Sequence, residues 1–399
     1  MTSIVDTSVK NFGYDFPGAP ELHGTFGSEI SVHTACLVTG FGLRPVVSLV
    51  VASGVATLTL ASNSKNVNLM GSVVLVEGAS VAALNGEQRV TAATSDTLKF
   101  GTAAADGTAT GTITVKTAPA GYELVFSAPG KAVYKSLAPE SLGGYFRVQE
   151  TDGSLDVDVR SYVTMSDVDT GTGKYPPDGI SDWAKAYQPS SPAGPAIWDI
   201  FADDRLFYYC PAPGSSFSAS YPGQACWYWG DYLPAKSGDA WATGLSSAEY
   251  AGGGSTAYGS VPCGSPGRHF GARGYTGLGA GVALFRTPEV GSDSVTSGRD
   301  DFYGAFPPPT DGKLRLSRIL VKENSGRGAN TIQRGVFPGI YYVPHRVAGG
   351  LFARGDILPG PPGVLSGRRL RAIALSISAA TDDISSISVA FFDTTGPWR

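Results

Sequence analysis

Pro45-Val-Val-Ser-Leu-Val-Val-Ala-Ser-Gly-Val-Ala-Thr-Leu-Thr-Leu-Ala-Ser-Asn-Ser64 contains no charged residue, and its length would in principle reach across a bilayer. Ser53-Gly54 divides it. The second half, Val55-Ala-Thr-Leu-Thr-Leu60, sets threonines on one face and aliphatics on the other. That is the two-residue period of a strand, with a turn dipeptide where a hairpin needs one. The same grammar continues to Lys116. Ser72–Glu77, Gln88–Ala93, Thr97–Phe100 and Gly111–Lys116 read as short strands, punctuated by Glu77-Gly78, Asn85-Gly86, Ser95-Asp96 and Asp106-Gly107. Roughly six strands in about 70 residues is the count of a compact β-sandwich. Residues 46–116 therefore read as a small Ig-like β-sandwich module and not as a membrane span. The module is charge-poor and holds neither histidine nor cysteine, as suits a surface or a spacer.

The rest of the chain has the same character. It carries 53 Gly and 27 Pro, with 16% charged and 42% hydrophobic residues. Regular aliphatic alternation separates it from a disordered low-complexity chain and leaves a turn-rich, all-β, multi-domain scaffold of the β-sandwich type. At 399 residues several cores are expected. The division read here is an N-terminal segment 1–45 packing with the central domain, the inserted module 46–116 projecting as an arm, a central β-rich domain 117–299, and a β-rich portion 300–399. Net charge is −4, which gives no general attraction to nucleic acid. Residues 300–399 are nonetheless mildly basic, with 12 Lys+Arg against 8 Asp+Glu. The start, Met-Thr-Ser-Ile-Val-Asp, lacks the basic and apolar parts of a secretory signal, so assembly in a cytoplasm without membrane insertion is expected.

Helix is scarce. Ser28–Val38 is the best candidate, with Ser28 as cap, Glu29 in the first turn and Gly40 closing the end; His33 on it reads as packing or surface. Short helical turns are expected near Asp182–Tyr187 and Ser246–Tyr250. Leu370–Ser378 and Ile387–Phe391 alternate cleanly and read as two antiparallel core strands. The four cysteines are Cys36, Cys210, Cys226 and Cys263. A Cys210–Cys226 bridge is open if geometry allows, but buried free thiols are the preferred reading for a chain assembled inside a cell.

No nucleophile elbow, phosphate loop, dinucleotide fingerprint or zinc spacing is present. His23, His33, His269 and His345 each lack a second metal ligand at useful spacing, and no metal or cofactor is expected. Asp156-Val-Asp158-Val-Arg160 sets two carboxylates on one strand face, a pair that could serve glycoside cleavage; the solvent face of a half-buried strand explains it better. Asp167-Val-Asp169-Thr-Gly171-Thr-Gly173 suggests a calcium loop, but the further ligands are missing and a turn bonding its own backbone is preferred. Between Trp198 and Trp241 aromatic residues crowd together, with Trp227-Tyr228-Trp229 at their centre. On a strand both tryptophans would share one side. Core is the preferred reading, and a platform for a sugar or a partner protein is the alternative.

Several segments resemble a family of tailed-bacteriophage and prophage structural proteins usually encoded among tail and baseplate genes. They include Leu22-His-Gly-Thr-Phe-Gly-Ser28, Ala35-Cys-Leu-Val-Thr-Gly-Phe-Gly42, Ala83-Leu-Asn-Gly-Glu-Gln-Arg-Val90, Ala109-Thr-Gly-Thr-Ile113 and Lys131-Ala-Val-Tyr-Lys-Ser136. Met165–Gly173, Arg334-Gly-Val-Phe-Pro-Gly339 and Gly396-Pro-Trp-Arg399 extend the resemblance along the chain. Family members tend to place paired aspartates after an arginine-valine where this chain reads Arg147-Val-Gln-Glu-Thr-Asp152, so any role of that pair is not carried over. The resemblance implies a virion protein, placed at a tail tip or baseplate, with other tail proteins as partners and no reaction of its own.

The expectation is thus a non-enzymatic virion component working as a homo-oligomer in a symmetric ring or cluster. Arg368 and Arg369, beside Arg371 in the basic portion, are candidates for a mating surface; the alternative is that they decorate a strand edge. Trp227, Tyr228 and Trp229 are candidates for ligand or partner binding. The rival functions are a receptor-binding protein stacking host surface glycan on those aromatics, a capsid decoration protein, and an envelope hydrolase using Asp156, Asp158 or Asp167.

Overall fold

The computed structural model describes residues 5–154, 156–179, 182–185, 196–212, 224–247, 261, 269–289, 306–323, 332–345, 351–376 and 387–399. Among them the regular secondary structure is almost entirely β, in antiparallel sheets. The dividing dipeptide of the opening stretch does what its chemistry requires. Ser53 and Gly54 take φ of 51° and 75°, the double positive-φ pattern of a tight hairpin turn, and join Ser48–Ala52 to Val55–Thr59 with Ala52 opposite Val55. Asp106 secures the turn by accepting the Ser53 N–H at 2.8 Å.

That hairpin belongs to a five-stranded sheet with Ala92–Ala93, Thr97–Gly101 and Gly107–Ala109. A four-stranded sheet of Phe41–Pro45, Thr114–Thr117, Val73–Glu77 and Gly86–Arg89 faces it. Leu49, Val51, Leu58, Leu98 and Phe100 from one sheet and Val74, Val76 and Val115 from the other share a core. Phe41–Pro45 precedes residue 46 yet pairs with Thr114–Thr117, Pro45 opposite Thr114, so the two ends of the excursion close on each other. Gly107–Ala109 was not read as a strand, because three residues are too few to display a period.

Polar contacts tie the module to the rest of the chain. Arg89, 5% exposed, donates from Nε to the carbonyl of Asp6 at 2.7 Å, from Nη2 to that of Val9 at 2.9 Å, and from Nη1 to those of Gly71 at 2.8 Å and Thr394 at 2.6 Å. Asn68 reaches the Asp15 carbonyl at 2.9 Å. The base of the module is therefore fixed to segments from both ends of the chain.

The centre is three layers. A ten-stranded sheet runs in the order Lys10–Gly13, Trp198–Ala202, Leu206–Pro211, Trp227–Asp231, Thr243–Ser246, His269–Gly271, Val282–Pro288, Ile319–Glu323, Ile332–Val336 and Leu233–Pro234. One face packs on a five-stranded sheet of Tyr122–Ala128, Lys131–Ser136, Tyr145–Glu150, Asp156–Tyr162 and Asp182–Ala184. The other meets a four-stranded sheet containing Arg369–Ser376 and Ile387–Asp393. Those two strands were expected, and they pair with Ile373 opposite Ala390; residues 377 and 378 lie outside the described residues.

The expected helix forms over Ser28–Thr34 and continues as a π-turn, Ala35–Thr39, ending at Gly40. Its cap differs from expectation. Gly27, at φ 85°, is the N-cap and Ser28 is already helical. Glu150 supplies the missing acceptor from the neighbouring sheet, taking the N–H of Gly27 at 2.7 Å and of Ile30 at 2.8 Å. One expected helical turn is corrected as well: Asp182–Ala184 is a strand, because it pairs into a sheet and tertiary pairing overrides weak local propensity. Of the other, near Ser246–Tyr250, Ser246 ends the strand Thr243–Ser246. Residues 186–187 and 248–250 lie outside the described residues.

Candidate functional site

Trp227, Tyr228 and Trp229 stand on one strand with the expected alternation, but neither side is open. Trp227 and Trp229 enter the layer beneath the five-stranded sheet and Tyr228 the opposite layer; the three are 0%, 0% and 2% exposed. Trp227 stacks on Trp183 at 5.7 Å and 11°. Trp229 stacks on Phe146 at 5.5 Å and donates its indole N–H to Ser161 Oγ at 2.9 Å. Tyr228 meets Phe337 edge-on at 4.6 Å. All three are buried, as the core reading expects, since a sheet covered on both faces buries both halves of its alternation.

Arg368 and Arg369 sit at an intramolecular joint. Arg368 lies 3.3 Å from Asp393 and donates to the carbonyl of Gly396. The Arg369 guanidinium rests against Gly71 of the module, and Arg371 lies 4.0 Å from buried Asp199. Arg368 and Arg369 are thus partly buried and lie against other segments of their own chain.

The two acidic motifs are likewise occupied. Asp167 Oδ1 accepts the N–H groups of Asp169 and Thr170, both at 2.8 Å, the backbone-bonding turn that was preferred. Asp169 pairs with Lys131 and Arg147, each at 2.7 Å. Arg160 holds Asp158 through two bonds of 2.9 and 3.1 Å and donates onward to the carbonyls of Pro176 and Pro177.

The polar groups that sequence reasoning missed are buried. Glu150 and Lys185 pair at 2.7 Å with both side chains fully buried, while Glu29 lies close by with no hydrogen-bond partner for either carboxyl oxygen. Burial and the Glu150 carboxylate push the Glu29 pKa well above the usual carboxylate range, against the pull of Lys185. Two acids beside one ammonium make a neutral centre when Glu29 keeps its proton. His33 Nδ1 donates to the Glu29 carbonyl at 3.0 Å. The His33 ring is enclosed by Tyr134, Phe146, Trp183, Phe207 and Tyr209, between 4.8 and 6.4 Å away, and burial lowers its pKa to about 4. His33 thus packs, as read. The sequence carries no signal for this centre, because its members come from positions 29, 33, 150 and 185.

Three further arginines join distant segments. Arg354 forks onto Asp199 with two bonds of 2.7 Å, reaches Asp15 at 3.2 Å, and lies over the Tyr14 ring at 4.7 Å. Arg399 donates to Asp203 at 2.8 Å and to the Asp231 carbonyl. Arg334 joins Glu323 at 2.6 Å and Asp239 at 3.1 Å. Charge-assisted forks of this kind fix geometry strongly.

Among the described residues, two accessible surfaces bring aromatic rings and cations together. Beside the Arg334 cluster, the Arg273 guanidinium lies 4.6 Å over the Trp241 ring and the Lys236 ammonium 4.9 Å over that of Tyr275; Tyr275 is 38% exposed and Leu278 76%. A groove of about 210 Å³ runs between Pro234, Gln333, Phe337, Tyr341 and Trp398, with Arg318 at its side. Among the described residues no three metal-ligating side chains gather, and no helix is long and apolar enough to cross a membrane.

No family model matches the chain, and no curated protein matches it. Among solved structures it is similar to the phage phi92 endosialidase at 10% sequence identity, with a TM-score of 0.16 over 88% of this chain and 51% of that one. The chain thus spans about half the length of that protein. Similarity at this level carries no argument about fold or activity.

Proposed function

We propose that the chain is a non-enzymatic structural component of a tailed-phage virion, at the tail tip or baseplate. It acts by assembly with other tail proteins as one copy in a symmetric homo-oligomeric ring or cluster. The observation that supports this reading is how the buried ionic groups are used. Arg89, Arg354, Arg399 and the Glu150–Lys185 pair each join segments far apart in sequence. They brace a many-sheeted β-scaffold and fix a charge-poor module to it. Repeated assembly needs such a rigid part that meets its neighbours through surface faces and loops. The segmental resemblance to tail and baseplate proteins supplies the particle. Locating the chain in an electron-microscopy map of intact particles tests the reading. Density at the tail end in symmetric copies is the expected result, and absence from the particle, or turnover of host envelope glycans by the purified chain, overturns it.

A receptor-binding role is the second reading, and it moves from Trp227 and Trp229 to the surface of Trp241, Arg273, Tyr275 and Lys236. An exposed and a half-buried aromatic ring, each beside a cation, suit a host glycan bearing acidic groups. Glycan-array binding that is lost in Tyr275→Ala would favour it over a purely architectural role.

A further inference from the structure

Leu206–Pro211 and Trp227–Asp231 pair antiparallel with Leu206 opposite Gly230 and Tyr209 opposite Trp227. Carried one residue further, that register sets Cys210 opposite Cys226. The next step fixes which kind of pair this is. Ala225 N–H donates to the Pro211 carbonyl at 2.9 Å, so residues 211 and 225 form the hydrogen-bonded pair and the cysteines the non-bonded one. The Cys226 carbonyl agrees, since it turns away from Cys210 to accept Val261 N–H at 2.8 Å. Non-bonded pairs bring Cα atoms to about 4.5 Å and their side chains closest together, inside the roughly 4.4–6.8 Å that a disulfide spans.

Both side chains leave the sheet on one face, into the layer of Phe201, Tyr208, Tyr228 and Leu375. Both cysteines are unbridged and buried, within hydrogen-bonding reach of each other. The backbone around them is anchored. Gln224 Nε2 donates to the Cys210 carbonyl and to Asp199 Oδ2, and Gln224 N–H reaches the Ala374 carbonyl at 2.9 Å. The pair therefore lies at the seam between the ten-stranded sheet and the C-terminal sheet.

We propose that Cys210 and Cys226 are an oxidation site, forming a cross-strand disulfide at this seam by exchange with a low-molecular-weight disulfide. One thiolate attacks the small disulfide and expels one small thiol. The second cysteine then loses its proton, attacks the mixed disulfide and expels the other. Two cysteine thiols and one small disulfide become one protein disulfide and two small thiols. Burial pushes the Cys210 thiol pKa up, which slows the first attack in the closed fold. The exchange consequently proceeds during folding or transient opening, and the finished bond is shielded from reductant.

The full chain, refolded in oxidised or in reduced glutathione, tests this through thiol counting in denaturant, peptide mapping and thermal melting. Expected are the loss of two of the four thiols, a linked peptide joining Cys210 to Cys226, and a melting temperature a few degrees higher in the oxidised sample. Cys210→Ser should abolish both the link and the rise. Retention of all four thiols, linkage of any other pair, or a lower melting temperature in the linked protein would overturn the proposal. The mapping is done on the unsubstituted chain, so poor folding of the serine variant leaves the test standing.

Discussion

The module closed by Phe41–Pro45 and Thr114–Thr117 and the central ten-stranded sheet are built from the same kind of short, turn-punctuated strand, yet they bury opposite fractions of it. Ser48–Ala52 alternates, with Leu49 and Val51 inside and Val50 and Ala52 out. In the central sheet Trp198–Ala202, Leu206–Pro211 and Trp227–Asp231 are buried at every position. The cause is the number of layers. A two-sheet sandwich leaves each sheet one wet face, whereas the central sheet is covered on both. An aromatic residue at an alternate position is thus a surface feature in one region and a core feature in the other.

The largest expected effect breaks the comparison if it fails. Tyr228→Ala and Trp229→Ala, adjacent and pointing opposite ways, should each destabilise by about 3–5 kcal/mol in urea unfolding. A small loss for either one would mean that its face is not packed. In the module, Leu58→Ala should cost about 2–5 kcal/mol while its neighbour Thr57→Ala stays within about 0.5 kcal/mol.

Arg89→Ala tests the joint between the two regions. It removes four carbonyl contacts of a buried guanidinium and should cost about 2–4 kcal/mol. Calorimetry should show the module melting apart from the centre; a single cooperative transition at lower temperature would mean other contacts suffice to couple them.

Acid response should also divide the regions, because the module holds no histidine. His33 and His269 have folded pKa values lowered to about 4 and about 3 by burial, so below about 6.5 the unfolded chain binds those protons first and stability falls as pH falls. Glu29 acts the other way. Its folded pKa is raised, so the folded chain holds a proton that the unfolded one has lost, and this contribution grows as pH falls toward the ordinary carboxylate range. The two contributions oppose each other, and that of the histidines grows as the pH falls from about 6.5 toward about 5. Glu29→Gln removes the opposing contribution and should steepen the slope of stability against pH in denaturant titrations across the same range. An unchanged slope would mean that Glu29 is ionised in the folded protein.

The smallest effect sharpens the module's outer face. Val50→Thr, on an exposed strand position, should change stability by no more than about 0.5 kcal/mol, and any larger loss of particle incorporation would mark that face as a contact with a neighbour.

Sequence by itself determined the strand rhythm, the Ser53-Gly54 hairpin, the Asp167 turn, the helix after Gly27 and the two C-terminal strands. Each of these is marked by a pattern of a few neighbouring residues, which is printed in order along the chain. Only the tertiary structure decided that Trp227, Tyr228 and Trp229 are buried, that Arg368 pairs with Asp393 of its own chain, and that Glu29, His33, Glu150 and Lys185 meet. Burial of an alternating strand depends on what covers its second face, and a long-range ion pair depends on which segments pack together. Neither quantity has a local period, so neither can be read from residue spacing.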